Sequence, residues 1–219
     1  MARPRAPTFD LQRTSILDAA AELFAARGYA STSMAALASA SGMSKALLYH
    51  YYRDKQHILY DIANSYMDTL LEIVAEVDRQ RLPPTEHLRA LVGCFMRAYQ
   101  HARPQHMVLV QDVKFLSAPN RRRIRTKERK VVDAFADVIA ALKPRTSATE
   151  LRVPLAMILF GMINWTFTWL RPDGKLTYED MAPVVSEIFL SGVRPAAGTR
   201  RKPARQASTP RNANTNRGA

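Results

Sequence analysis

Cysteine is almost missing from this sequence, and so are several other structural signals. Cys94 is the single cysteine among 219 residues, so no intramolecular disulfide can form and a reducing compartment is expected. No apolar stretch follows the N-terminal arginines, so we expect no secretory signal and a cytoplasmic location. No run alternates apolar and polar residues as a surface strand would. Apolar residues recur every three to four positions instead, which predicts an all-α fold of about nine helices.

Motifs of catalysis and cofactor binding are also missing. The eight glycines include no pair with the spacing of a dinucleotide or P-loop phosphate cradle, and no His-Glu-x-x-His occurs. His87, Cys94 and His101 are seven residues apart, which in a helix separates neighbours by roughly 10 Å, too far to share one zinc ion. A Ser-His-acid triad stays open, but no nucleophile motif supports one. We therefore expect neither an enzyme nor a metal or cofactor site.

Acidic residues are absent from the C-terminal end, where much of the net charge of +13 is concentrated. Residues 1–60 hold seven Lys or Arg against four Asp or Glu, residues 61–191 hold eighteen against fifteen, and residues 192–219 hold seven against none. Basic proteins favour nucleic acid, although charge alone suits RNA or an anionic membrane equally. We predict a basic flexible arm over residues 1–9 and a disordered basic tail over residues 195–219.

Two short helices joined by a glycine-containing turn are predicted around residues 32–55. Ser33 can cap the first helix, and Ser44 can cap the second. Gly42 lies between them, where a left-handed residue is often needed. At about 100° per residue, Leu48 and Tyr52 share one apolar side of the second helix, and its other side is small, basic and hydrogen-bonding. The pattern predicts a helix-turn-helix, although an ordinary helical hairpin has the same spacing.

Residues Ser15 to Leu59 resemble the DNA-binding domain of the TetR/AcrR family of transcriptional regulators. The matching residues are Ile16, Ala20, Leu23-Phe24, Gly28-Tyr29, Thr32-Ser33-Met34, Leu37-Ala38, Gly42, Ser44-Lys45, Leu48-Tyr49-His50-Tyr51-Tyr52 and Lys55. The sequence departs from the family at Leu47, Tyr51 and Tyr52, where a small or polar residue, His and Phe are more usual. Leu47 can touch a thymine methyl but cannot form a hydrogen bond.

The resemblance implies a helix-turn-helix DNA-binding domain over residues 10–56 and a ligand-binding and dimerisation domain over residues 57–194. The expected partners are a palindromic double-stranded operator and a second copy of the chain, joined through the last two long helices. Phosphate contacts are expected from Lys45, Lys55 and Ser33, and hydrogen bonds to phosphate or base edges from tyrosine and histidine. The predicted DNA-binding residues are Arg3, Arg5, Thr32, Ser33, Ser44, Lys45, Ala46, Leu47, Tyr49, His50, Tyr51 and Lys55.

The segment from Val153 to Leu170 has no charged residue, and it is at the lower limit of length for a membrane-spanning helix. Polar residues within it and an early proline favour a helix buried by the core and by a second subunit, so we expect no membrane. The stretch from Phe160 to Pro172 resembles TetR-family regulators that respond to acyl-CoA thioesters. A basic run at Arg121–Lys130 is either a solvated helix face or a site for an anionic head group.

Together these patterns predict a homodimeric repressor that an effector, such as an acyl-CoA thioester, releases from DNA. The alternatives are an efflux or stress repressor released by an uncharged hydrophobic compound, and a helical enzyme or lipid carrier that does not bind DNA. Pockets are mostly apolar with a few polar anchors. The predicted ligand-binding residues are Phe95, Tyr99, Met157, Phe160, Asn164, Trp165, Trp169, Arg171, Arg121, Arg122 and Arg125.

Overall fold

The computed structural model describes residues 7–142, 148–171 and 173–193. Every regular element in these residues is helical, which confirms the predicted all-α class. Their nine α-helices are α1 (Pro7–Arg27), α2 (Met34–Ala40), α3 (Lys45–Tyr51), α4 (Lys55–Arg79), α5 (Pro84–His101), α6 (Arg103–Asp112), α7 (Ala118–Leu142), α8 (Ala148–Asn164) and α9 (Tyr178–Val193). Short 3-10 turns follow α6 at Val113–Phe115 and α8 at Trp165–Thr168. The predicted tail lies outside the described residues, and α1 begins at Pro7, within the predicted arm.

The first three helices and the start of α4 share one apolar core. Ile16 and Phe24 of α1, Leu37 of α2, Leu48 of α3 and Ile58 of α4 are each at most 1% exposed. These residues follow the helical spacing of the sequence, since each helix turns one stripe toward the others. The short helices α2 and α3 are therefore held by tertiary packing, because helices of seven residues are marginal in isolation.

Helix α4 continues from this small unit into the larger domain. Its buried stripe includes Ile58, Ile62, Tyr66, Leu70 and Val77, as the helical spacing predicts. The first part of the stripe faces α1, and other parts contact α5, α6 and α7. One rigid element therefore belongs to both domains.

The larger domain is built around α5, which packs against α4, α7 and α9. Three aromatic rings from different helices meet at its centre, Phe95 of α5, Phe135 of α7 and Phe160 of α8. The ring centroids are 4.9 Å apart for Phe95 and Phe135 and 4.7 Å apart for Phe135 and Phe160. Such edge-on and tilted contacts fix the helix packing more specifically than apolar burial alone.

The uncharged segment predicted as one helix up to Leu170 is divided in two. Helix α8 ends at Asn164, and the chain continues as the 3-10 turn. Two hydroxyl groups favour this tighter turn: Thr166 Oγ1 donates to the carbonyl of Ile163 at 2.6 Å, and Thr168 Oγ1 donates to the carbonyl of Trp165 at 2.7 Å. Threonine hydroxyls compete in this way with regular α-helical hydrogen bonding.

Large apolar side chains on α8, on α9 and on the segment between them are left uncovered by the described part of the chain. These side chains are exposed by 38–64%, and they are Leu151, Val153, Met157, Ile158, Trp165, Trp169, Leu176, Val184 and Ile188. We call these nine residues the α8–α9 face. By length and composition, Glu150–Thr168 could also cross a membrane. A single segment of this kind is weak support for a membrane protein.

The larger domain touches the small unit through α6 and the turn after it. Gln105 of α6 donates to Asp18 of α1 at 3.1 Å. The Phe115 ring stacks on Tyr29, which follows α1, with centroids 5.1 Å apart. Asp112 at the end of α6 is buried at the same junction, and burial raises the pKa of its carboxyl group. Displacement of α6 would therefore be transmitted to the small unit.

Candidate nucleic-acid interface

The α2–turn–α3 unit begins with two serine caps. Ser33 Oγ accepts a hydrogen bond from the amide of Ala36, and Ser44 Oγ accepts one from the amide of Leu47, both at 3.1 Å. Each serine thus satisfies one amide that a helix leaves free in its first turn. Both side chains lie on the surface, as the sequence predicts for residues at helix N-termini that face a phosphate backbone.

The turn between the helices depends on Gly42. Its φ is +66°, in the left-handed region that favours glycine. The amide of Met43 donates to the carbonyl of Ala38 at 3.0 Å, and the amide of Gly42 donates to Ser39 at 3.1 Å. This pair of bonds is a Schellman motif, which ends α2 and reverses the chain within a few residues. The position predicted to need a left-handed residue is confirmed.

Helix α3 divides into a buried and an exposed side. Leu48 is fully buried, and Tyr52, which follows the helix, is 4% exposed. The predicted contact residues Lys45, Ala46, Leu47, Tyr49 and His50 are all exposed. The Lys45 ammonium group lies 6.0 Å from the centroid of the Tyr49 ring. This surface offers a cation, a phenol, an imidazole and two small or apolar side chains, a combination that suits phosphate and base-edge contacts.

Thr32 and Tyr51 differ from the prediction that they contact DNA. Thr32 is 2% exposed, and its hydroxyl donates to the carbonyl of Gly28 at 2.9 Å. The Tyr51 hydroxyl donates to the Gln12 side chain of α1, and its ring stacks on Phe9 with centroids 4.7 Å apart. Thr32 therefore stabilises the loop after α1, whereas Tyr51, which is partly exposed, joins α3 to α1 through partners distant in sequence.

Lys55 also has a role that differs from its predicted phosphate contact. Its ammonium group donates to the carbonyls of Tyr29, Ala30 and Thr32, at 2.7, 3.2 and 2.7 Å. It also lies 4.4 Å from the centroid of the Tyr29 ring. An ammonium group has three donors, and all three are used inside the protein. Lys55 thus fixes the loop before α2 to the start of α4.

A partly buried network that the sequence did not indicate links α1 and α4 to Tyr52, the residue after α3. Arg13 Nε donates to the Tyr52 hydroxyl at 3.0 Å, and the same guanidinium group forms an ion pair with Asp61. Burial raises the pKa of Tyr52 to about 12, although the Arg13 hydrogen bond opposes that shift. The hydrogen bond to Asp61 raises the pKa of Arg13. The helical period places each residue on a helix face but does not reveal partners 39 and 48 residues apart.

Two predicted DNA contacts, Arg3 and Arg5, lie outside the described residues. Arg53, which the sequence-based set omitted, is an exposed cation directly after Tyr52, and its side chain is 77% exposed. Arg53 Nε donates to Asp54 at 3.2 Å, while the other Asp54 oxygen accepts from the amide of His57 at the start of α4. Its position beside α3 makes it a further candidate for a phosphate contact.

The predicted ligand-binding residues fall into separate groups. Phe95, Tyr99 and Phe160 are buried in the larger domain. The Tyr99 hydroxyl donates to Asn164 Oδ1 at 2.7 Å, which brings four of the predicted residues into one region. Met157, Trp165, Trp169 and Arg171 are exposed instead. A single interior pocket therefore does not contain the whole predicted set.

The basic run on α7 is also not one continuous site. Arg121 donates to the carbonyls of Lys114 and Leu116 at 3.1 and 3.3 Å, and Lys127 donates to Asn64 at 2.7 Å and forms an ion pair with Asp68 of α4. Arg122 and Arg125 are exposed. At about 100° per residue Arg122 lies opposite the buried stripe of α7, whereas Arg125 lies on its flank near Glu128. Neither side chain belongs to the buried stripe that faces the interior residues predicted to hold an acyl chain.

A cavity of about 290 Å³ lies between the end of α4, the start of α5 and the second half of α7. Its lining residues are Asp78, Leu82, Pro84, His87, Ala134, Asp137, Val138 and Ala141. None of the predicted ligand-binding residues is among them. His87 Nε2 lies 3.0 Å from Asp78, so an ion pair forms at this cavity when the imidazole is protonated. Within the described residues, no group of three or more His, Cys, Asp or Glu side chains could hold a metal ion.

Two family models together match most of the chain. A model of bacterial regulatory proteins of the tetR family matches residues 16–62. A model of the tetracyclin repressor-like C-terminal domain matches residues 81–193. The first range contains the helix-turn-helix and the second contains α5 to α9.

Individual relatives agree with these models over most of their length. The HTH-type transcriptional repressor KstR2 of Rhodococcus jostii (strain RHA1) is 27% identical over 187 residues, which cover 83% of this chain and 91% of the relative. A TetR-family transcriptional regulator from Bordetella parapertussis 12822 has a similar crystal structure, with a TM-score of 0.78, 32% identity and coverage of 81% of this chain and 93% of that one. The crystal structure of AibR in complex with isovaleryl coenzyme A and operator DNA has a TM-score of 0.73 at 28% identity, and covers 81% and 97% of the two chains.

Proposed function

Because the chain belongs to the TetR family and is a DNA-binding transcriptional regulator rather than an enzyme, we propose that it is a homodimeric repressor that a small-molecule effector releases from a palindromic operator. The observation that carries this proposal is the exposed side of α3. Two copies of that surface, related by a two-fold axis, would read two half-sites of the operator. The relative KstR2 is a transcriptional repressor, and this supports repression rather than activation as the proposed mode of regulation.

Most of the proposed DNA contacts are residues of the helix-turn-helix whose side chains are exposed. Lys45 and Arg53 would neutralise phosphates, and the helix ends at Ser33 and Ser44 would add amide contacts. Tyr49 and His50 would hydrogen-bond to phosphate or base edges, and Leu47 with Ala46 would pack against thymine methyl groups. Arg3 and Arg5, which lie outside the described residues, are proposed to reach the minor groove.

The proposed dimer forms through the α8–α9 face. Ile188 and Trp165 are 60% and 64% exposed, which is unusual for large apolar side chains that belong to one surface of a soluble regulator. Contact with the α8–α9 face of a second copy would bury the apolar side chains of both subunits, since a two-fold interface joins identical surfaces. Burial in a dimer interface would account for the apolar composition of Glu150–Thr168 without a membrane. We therefore propose a cytoplasmic location.

The proposed effector is an acyl-CoA thioester with its acyl chain in the larger domain. The support is the interior aromatic cluster around Phe95 and Phe160, and the similarity to AibR, which was crystallised with isovaleryl coenzyme A. The phosphates would lie near exposed Arg171 rather than at Arg122 and Arg125, because Arg171 follows soon after the interior positions Phe160 and Asn164 in the sequence. The alternative effector is an uncharged hydrophobic compound.

The first test is a mobility-shift titration of the full chain with DNA from upstream of its own gene. Specific retention is expected, and Tyr49→Ala should weaken it by about 1–3 kcal/mol with the fold and dimer intact. A helical enzyme or lipid carrier would bind all sequences alike, with the affinity falling steeply with salt. Full retention by Tyr49→Ala would show that α3 is not the helix in the groove.

The second test adds candidate effectors to the protein–operator complex. Acyl-CoAs, their free acids and uncharged hydrophobic compounds are compared at equal concentrations. Release by CoA thioesters but not by the free acids would support the proposed effector class. Release only by uncharged compounds would support the alternative and reject the thioester.

A further inference from the structure

Three polar side chains from different helices are buried in one region of the larger domain. Tyr66 lies on α4, His106 on α6 and Tyr178 at the start of α9, and they are 4%, 2% and 3% exposed. We call these three residues the buried polar cluster. The His106 ring stacks on Tyr99 with centroids 3.9 Å apart, and its centroid is 6.1 Å from that of Tyr66. The phenol groups of Tyr66 and Tyr178 are near enough to interact electrostatically.

The polar atoms of this cluster have no hydrogen-bond partner among the described residues. They are the hydroxyl oxygens of Tyr66 and Tyr178 and the imidazole nitrogens of His106, although the backbone carbonyl of Asn164 is near enough to His106 to favour its protonated form. Folded proteins rarely leave buried polar atoms without partners, and four in one region point to a missing binding partner. The neighbouring Tyr99 shows the normal situation, because its hydroxyl is bonded to Asn164.

His106 and Tyr66 are uncharged near neutral pH. Burial lowers the pKa of His106 to about 4, although the nearby backbone carbonyl of Asn164 favours the protonated form slightly. Burial also raises the pKa of Tyr66 well above its ordinary value. The nearest cation along α6 is Arg103, one turn before His106, and it donates to the carbonyl of Phe167 at 3.0 Å. Arg103 Nε is also buried without a hydrogen-bond partner among the described residues. The phenols and the neutral imidazole themselves carry no charge that would offset the burial of an anion, which they would therefore disfavour.

We propose that the buried polar cluster recognises one uncharged hydrogen-bonding group of the effector, a carbonyl or a hydroxyl. Two phenols can donate to the lone pairs of a carbonyl, and a neutral imidazole can accept from a hydroxyl. The assignment deepens the proposed ligand-responsive function and rests on it. Binding there requires a displacement of α6, because the His106 ring is stacked on Tyr99. The same helix contacts α1 through Gln105, so occupation of the cluster would reach the DNA-binding unit.

The test compares four small compounds of similar shape by calorimetric titration of the full chain without DNA. They are 4-phenylbutan-2-one, 4-phenylbutan-2-ol, butylbenzene and 3-phenylpropanoate. The ketone and the alcohol should bind about tenfold more tightly than the hydrocarbon or the carboxylate. Tyr66→Phe and Tyr178→Phe should each remove most of that difference and leave the affinity for butylbenzene unchanged. Tyr60→Phe is the matched control, because Tyr60 lies on α4 outside the cluster and its hydroxyl is 3.4 Å from Asn64.

Several outcomes would overturn the assignment. The assignment is wrong if the ketone and the alcohol bind no more tightly than butylbenzene. It is also wrong if 3-phenylpropanoate binds most tightly of the four compounds. The Tm of ligand-free Tyr66→Phe and Tyr178→Phe should be equal to or above that of the wild type, because the variants remove atoms without partners. A lower Tm would show that these hydroxyls already have a partner, such as a buried water. Failure here would leave operator binding by the wild type intact, so it is distinct from failure of the proposed function.

Discussion

Replacing Lys55 by methionine keeps the length of the side chain and removes the ammonium group that joins α4 to the loop before α2. Three carbonyls, those of Tyr29, Ala30 and Thr32, then have no donor from this side chain. A hydrogen bond to a charged group contributes about 1.5–3 kcal/mol, but this ammonium group is partly exposed, so we expect a total loss of about 2–3 kcal/mol. For a chain of this size that loss corresponds to a fall in Tm of roughly 4–12 °C.

Lys45→Met is the matched control, because Lys45 is exposed on α3 and its ammonium group lies near the Tyr49 ring rather than at backbone carbonyls. Its Tm should stay that of the wild type, but the slope of log affinity against log salt should fall by about 0.9 for each phosphate that the variant no longer neutralises. Anisotropy titrations of labelled DNA between roughly 50 and 200 mM salt would measure this slope. Lys55→Met with an unchanged Tm and a reduced salt slope would refute the structural role of Lys55 and restore its predicted role at a phosphate.

Other perturbations test the dimer face, the buried histidine and the effector site. Ile188→Glu should give a folded monomer with weak operator binding, and a variant that still sediments as a dimer would exclude the α8–α9 face. His106 has a lower pKa in the folded than in the unfolded state, so its contribution to stability is present above about pH 6.5 and is lost as the pH falls toward 4. That loss is about 3 kcal/mol, and urea denaturation of His106→Phe should show a correspondingly weaker pH dependence. Arg171→Ala should raise the acyl-CoA concentration needed for operator release, whereas the double variant Arg122→Ala and Arg125→Ala should not; the reverse result would place the phosphates on α7.

Local sequence signals predicted the helix-turn-helix well. Leu48 and Tyr52 are buried because the helical period places both on one side, and that period needs no knowledge of the rest of the chain. Gly42 adopts the positive φ that the tight turn requires. The serine caps at Ser33 and Ser44 form as their residue type suggests. These features depend on interactions within a few residues.

The sequence did not reveal contacts between residues far apart in the chain. Tyr51 and Tyr49 are both tyrosines on α3, but Tyr49 is exposed on the surface whereas Gln12 and Phe9 of α1 hold Tyr51. The partners of Lys55 are 23 to 26 residues away in the sequence. The period of a helix assigns a face, whereas the identity of the neighbours on that face is set by the packing of other helices.

The stacking of Tyr29 on Phe115 limits how this regulator could be recombined with others. A chimera that takes residues 7–54 from this chain and the effector domain from another would have neither that ring stacking nor the hydrogen bond from Gln105 to Asp18. It would also be without Lys55, which comes from α4 but completes the loop before α2. The unit that must be exchanged together is therefore larger than the helix-turn-helix domain. An exchange that keeps α1–α3 functional must also carry the start of α4, helix α6 and the turn after it.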